Sequence, residues 1–76
     1  MAVKLRRSLS ARNRLKGKIT KIKKGGVVAG VTIKLAGSGD IVYSVITNEA
    51  VDELKLKVGD TVAAIIKSTE VMISKE

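Results

Sequence analysis

The chain has 76 residues, a formal charge of +8, a single aromatic residue (Tyr43) and neither Cys nor His. A domain of this length buries a limited fraction of its surface and usually needs a staple. Without Cys or His, disulfides, the usual zinc sites and any His or Cys nucleophile or base are excluded, so oligomerisation is the staple that remains.

The charge is unevenly placed. Residues 1–39 hold 11 Lys or Arg and no Asp or Glu, whereas residues 40–76 hold 4 Lys and 7 acids, so the halves carry +11 and −3. A basic half implies an anionic partner: nucleic acid, a lipid surface or a small anion. No apolar run approaches the roughly 20 residues of a membrane-spanning helix. Residues 1–9 lack the apolar core of a secretory signal. The expected location is the cytoplasm, with no membrane partner.

Residues 1–9 read as a partly mobile basic leader, with Val3, Leu5 and Leu9 in weak alternation. A single domain is expected over residues 10–76. From Arg14 a strand pattern begins: Leu15, Gly17 and Ile19 alternate with Lys16, Lys18 and Thr20. Ile22 then breaks the alternation by one residue, which predicts a β-bulge near Thr20–Lys21. Gly25-Gly26 closes the strand with a hairpin turn that tolerates positive φ.

The second strand is expected over Val27 to Leu35, with Val27, Ala29, Val31, Ile33 and Leu35 on one face. Gly37-Ser38-Gly39-Asp40 is a turn, not a phosphate loop, because no Gly-Lys-Ser/Thr follows and no helix opens there. A third strand runs from Ile41 to Ile46. Both of its faces are fairly apolar, as expected if one faces the barrel and the other a partner subunit. Thr47 has the character of an N-cap, and Asn48 to Lys55 reads as a short helix with Val51 and Leu54 as its buried contacts. Thr61 to Lys67 is a fourth strand and Val71 to Ser74 a fifth. The fold class is all-β: a five-stranded, OB-like Greek-key barrel with one short helix between strands three and four.

Two clusters carry anion donors. Ser10-Ala11-Arg12 sets a hydroxyl and a guanidinium on alternate residues, which share a face in an extended chain. Lys67-Ser68-Thr69 sets an ammonium beside hydroxyls at the end of an apolar strand. A tetrahedral dianion needs several charge-assisted hydrogen bonds in a small, partly dry space. Arg12 and Lys67 supply charge; Ser10, Ser68 and backbone N–H groups supply directional donors. The bland alternative is a solvated surface.

Ser10-Ala11-Arg12-Asn13-Arg14-Leu15-Lys16-Gly17 resembles the "SARNQLKG" signature of the molbindins, the small Mop proteins that bind molybdate. Val62 to Ile73 is similar to the family's closing "AVIKSTDVMI" segment, and Glu49 to Gly59 to its "AVKELGLKPG" region. The resemblance covers residues 8–75 and identifies the chain as a stand-alone molybdate-binding TOBE, OB-like domain.

That resemblance implies an intimate dimer, three dimers forming a hexamer, and molybdate or the nearly isosteric tungstate held at subunit interfaces. Carried over by position, Ser10, the Ala11 amide and Arg12 form one half of the oxyanion site, and Lys67 and Ser68 the other. The two halves are expected from different subunits, with Asn13 fixing the local turn. No cofactor and no direct protein–metal bond are implied; the ligand is the oxyanion itself. Two departures stand out: Arg14 replaces the family's usual Gln, and the leader exceeds the usual one or two residues.

Molybdate or tungstate storage and homeostasis, without chemistry on the anion, is therefore the expected function. The alternative is a nucleic-acid-binding OB-like domain using the basic N-terminal half. Single-strand binding by such domains rests on stacking aromatics, which one Tyr does not supply, so nucleic acid is not the expected partner. An enzyme is not expected, since no nucleophile–base pair can be assembled.

Overall fold

The computed structural model describes residues 11–76. The leader over residues 1–9 and Ser10 lie outside the described residues. Among the described residues four strands form: β1 (Ala11–Lys24), β2 (Val28–Leu35), β3 (Ile41–Thr47) and β4 (Thr61–Lys67). One helix, α1 (Asn48–Glu53), separates β3 from β4, and a 3-10 turn (Ser68–Glu70) follows β4. They make one antiparallel sheet in the order β3-β2-β1-β4. Three hairpin-connected strands with the fourth returning beside the first is the Greek-key order.

The 14-residue β1 is shared by two ladders, its N-terminal half by β4 and its C-terminal half by β2. The register with β2 shifts between Ile19 and Lys21, which places a bulge at Thr20. The bulge restores the inward parity: Ile19 is buried, and Ile22 packs against the same core. It also bends the strand, which curls the sheet. At the bend Ile19 donates to the Asp60 carbonyl at 3.0 Å and accepts from the Gly59 amide at 2.8 Å. Gly59 makes that approach at φ 96, a left-handed conformation that suits glycine.

The core is small. Ile19, Val31, Ile33 and Ala64 are buried together, with Ile22, Leu35, Val42, Ile46, Leu56 and Val62 packed on them. A fully buried Ile contributes about 1.5–3 kcal/mol. Gly17 lets β1 lie close to β2, because a Cβ there would stand 2.5 Å from the Lys34 carbonyl oxygen and 2.8 Å from Ile33 Cγ2.

The helix is tied at its start. Thr47 Oγ1 accepts from the Ala50 amide at 3.0 Å, so Thr47 is the N-cap. Asn48 anchors α1 to the first hairpin through Nδ2 to the Gly25 carbonyl (2.9 Å) and its amide to the Val27 carbonyl (2.8 Å).

The helix stops at Glu53, two residues before the expected end. Lys55 takes φ 52, and the Leu56 amide donates back to the Val51 carbonyl at 3.0 Å, a Schellman-type reversal. That reversal corrects one expected core contact. Val51 is buried, but Leu54 is 68% exposed, and Leu56 takes the inward position instead.

The fifth strand is a second correction. Val71 to Ser74 forms no strand, and Met72 and Ile73 are 92% and 96% exposed. The segment has strand-forming residues but pairs with no strand of its own chain, and a strand needs a ladder. Correspondingly, β3 and β4 are not paired with each other. Between them the concave face opens as a hollow of about 660 Å³, floored by core residues such as Ile33 and Ala64 and bordered by Val42, Ile46 and Ile66. The outward residues of β3, Ile41, Tyr43 and Val45, are exposed as well.

Candidate oxyanion site

The two sequence clusters meet at one end of the β1–β4 ladder. Ala11 lies opposite Lys67, and Asn13 lies opposite Ile66. The register steps by one at Arg12, making a second β-bulge. Strict alternation therefore does not carry through Arg12, and the expected shared face for Ser10 and Arg12 does not follow from an extended chain. A bulge re-aims a side chain at a strand end, a device common beside functional sites.

Asn13 holds the bulge closed. Its Nδ2 donates to the Ile66 carbonyl at 3.2 Å, across 53 residues of sequence. Asn13 is expected to fix a turn; in the fold the element it fixes is a bulge, and its partner is on β4. Immediately beyond Ile66, Lys67 ends β4 and Ser68 opens the 3-10 turn, whose Val71 amide returns to the Ser68 carbonyl at 3.4 Å.

Arg12, Lys67 and Ser68 are all exposed. No carboxylate pairs with Lys67 among the described residues. A salt bridge between Lys24 and Asp52, at 2.6 Å, lies at the α1 side of the molecule. One chain thus brings the Ala11 amide region, Arg12, Lys67 and Ser68 to one sheet corner. Within a single chain Ala11 and Lys67 are cross-strand neighbours.

Arg14 stands opposite Ile65, exposed on the convex face. Lys16 and Lys18 follow on the same side, opposite Ala63 and Thr61. The departure at Arg14 therefore extends a basic row running from the corner along β1.

Comparison with known proteins agrees with this architecture. The model of the TOBE domain matches residues 9–73. The chain is 50% identical over 66 residues to molybdenum-pterin-binding protein 3 of Clostridium pasteurianum, covering 87% of this chain and 96% of that one. Its fold matches that of MopII from the same organism with a TM-score of 0.81 and 46% identity, over 88% of this chain and 98% of that chain. It also matches the cytoplasmic molybdate-binding protein ModG, in a form with molybdate bound, with a TM-score of 0.79 and 47% identity, over 84% of this chain and 45% of that chain. A curled antiparallel sheet in Greek-key order, with one short helix and a cationic corner, defines the class. The chain belongs to the TOBE-domain family and, within it, to the molybdenum-pterin-binding (Mop) proteins.

Proposed function

We propose that the protein binds molybdate or tungstate reversibly as a cytoplasmic store or buffer and performs no chemistry on the anion. The observation that carries this reading is the meeting of Ala11 and Lys67 across the β1–β4 ladder, with Arg12 raised on a bulge and Ser68 next in line. Arg12 and Lys67 provide the charge; Ser10, the Ala11 amide and Ser68 provide directional donors. Hydrogen bonds to a charged group contribute about 1.5–3 kcal/mol each. Four or five of them, less ordering and desolvation costs, suffice for micromolar or tighter binding. The molybdate-bound form of ModG supports the ligand class.

The exposed corner needs a second surface to exclude water. A homo-oligomer supplies it, and we assign a hexamer built as a trimer of dimers. The unpaired edges of β3 and β4, the hollow between them and the exposed Val71–Ile73 segment support an assembled state.

Equilibrium dialysis against molybdate, tungstate, sulfate and phosphate, with an oligonucleotide in parallel, tests the proposal. Molybdate or tungstate saturation that survives moderate salt and excess sulfate is the expected result. Binding of the oligonucleotide alone, abolished by salt, overturns it in favour of the nucleic-acid alternative.

A further inference from the structure

On the convex face, away from the corner, Lys18 of β1 stands directly opposite Lys34 of β2. Like charges in directly opposed positions destabilise an antiparallel pair. Neither ammonium has a carboxylate partner among the described residues, and neither does Lys16 two positions earlier. The stem of Lys34 leans toward the following turn, its Cε 3.6 Å from where a Cβ of Gly39 would stand.

These three lysines border a hollow of about 430 Å³, whose lining includes Gly17, Leu35, Ala36 and Thr61. The rim is cationic and the floor is largely apolar. Ligand sites commonly fall between about 300 and 1,000 Å³. A bare tetrahedral oxyanion would satisfy the ammonium groups but gain nothing from the floor. A neutral ring would cover the floor and leave the charges facing one another. A molecule that does both carries a dianionic head on a flat, weakly polar body.

We propose that this hollow is a second anion site that takes an organic phosphomonoester, with its phosphate between Lys18 and Lys34 and its ring on the Leu35–Ala36 floor. Lys16 adds charge at the rim, and Thr61, whose hydroxyl makes no hydrogen bond among the described residues, is part of the lining. Gly17 lies in the lining, and the β1–β2 register sets Lys18 and Lys34 face to face. The site shares no residue with the Arg12–Lys67 corner and does not depend on the molybdate reading.

The test is an amide-resolved NMR titration of the full chain with phenyl phosphate, adenosine monophosphate, inorganic phosphate, benzyl alcohol and a thymidine oligonucleotide. Phenyl phosphate is expected to bind at least tenfold more tightly than inorganic phosphate or benzyl alcohol. It should shift the amides of Gly17, Leu35 and Ala36 and leave those of Asn13 and Ser68 in place, with or without saturating molybdate. Tighter binding of adenosine monophosphate identifies a nucleotide as the source; equal binding identifies phosphorylated rings in general.

The double variant Lys18→Gln/Lys34→Gln should lose at least tenfold in phenyl phosphate affinity. Its Tm should be unchanged or higher, since a repulsive pair is removed, which separates loss of the site from loss of the fold. Molybdate binding should be unaffected. Equal affinity for phenyl phosphate and inorganic phosphate, shifts confined to the corner, binding of the oligonucleotide alone, or a double variant within twofold of the parent each overturns the proposal.

Discussion

Asn13 Nδ2 reaches the Ile66 carbonyl at 3.2 Å, at the point where the β1–β4 register steps past Arg12. One part-buried amide thus fixes the backbone step that carries Arg12, next to the Ala11–Lys67 pair. Asn13→Ala should cost about 0.5–1.5 kcal/mol of stability, the net value of a neutral hydrogen bond. It should also weaken molybdate binding severalfold with Arg12 and Lys67 still present. Urea denaturation and dialysis measure the two effects separately. Full stability with lost binding would place Asn13 on the anion itself.

The charged donors should dominate affinity. Arg12→Ala and Lys67→Ala are each expected to weaken molybdate binding tenfold or more, since each removes a hydrogen bond from a charged group worth about 1.5–3 kcal/mol. Ser68→Ala removes a neutral donor and should cost less. Arg14, opposite Ile65 and outside the ladder step, should act mainly through its field. Arg14→Gln should then lower the association rate and its salt dependence more than it raises the dissociation rate. Calorimetry and stopped-flow binding distinguish these outcomes; full affinity in both Arg12→Ala and Lys67→Ala would remove the assigned corner.

Backbone spacing gives a prediction of a different kind. Gly17→Ala would place a methyl group 2.5 Å from the Lys34 carbonyl oxygen, a backbone atom that moves only with β2. Overpacking of this sort costs about 1–3 kcal/mol. Conversely, Lys55 holds φ 52 as the residue after the helix C-cap, where a side chain costs roughly 1–2 kcal/mol over glycine. Lys55→Gly should stabilise by up to about 1 kcal/mol after the entropy of glycine in the unfolded chain is deducted. Denaturant midpoints of the two variants should move in opposite directions.

What the sequence made legible follows from where the information sits. Thr61 to Lys67 is found with its expected ends because its alternation is bounded by turn residues on one side and by hydroxyls on the other. The Thr20 bulge was visible because Ile22 falls out of step, and the Thr47 cap because a hydroxyl precedes an acidic first turn. The bulge at Arg12 was not visible. Its only local mark is Asn13, whose partner is 53 residues away. Leu54 was misplaced because helix length here depends on one left-handed residue, Lys55, and nothing in a lysine announces that conformation. The anion clusters were legible as chemistry, whereas their meeting within one chain is a property of the β1–β4 register.

The unformed fifth strand leads to the prediction with the widest consequence. Val71, Met72 and Ile73 are 50%, 92% and 96% exposed, directly after the turn that carries Ser68. The concave face stays open between β3 and β4, two edges with unpaired backbone groups beside an apolar hollow of about 660 Å³. Exposed apolar segments and bare edges of this kind promote association. In a hexamer the segment is expected to be covered by a neighbouring subunit, and covering it also closes over the Lys67–Ser68 side of the oxyanion site. If the proposed hexamer forms, Met72→Glu/Ile73→Glu should therefore lower the native mass from that assembly towards the dimer or monomer. The fold should persist by circular dichroism, because neither side chain belongs to the core. Molybdate binding should fall together with the mass, although no proposed ligand residue has changed. Native mass spectrometry and dialysis on the same sample decide the point: full molybdate affinity in a monomeric variant would show that the corner at Ala11 and Lys67 is a complete site within one chain.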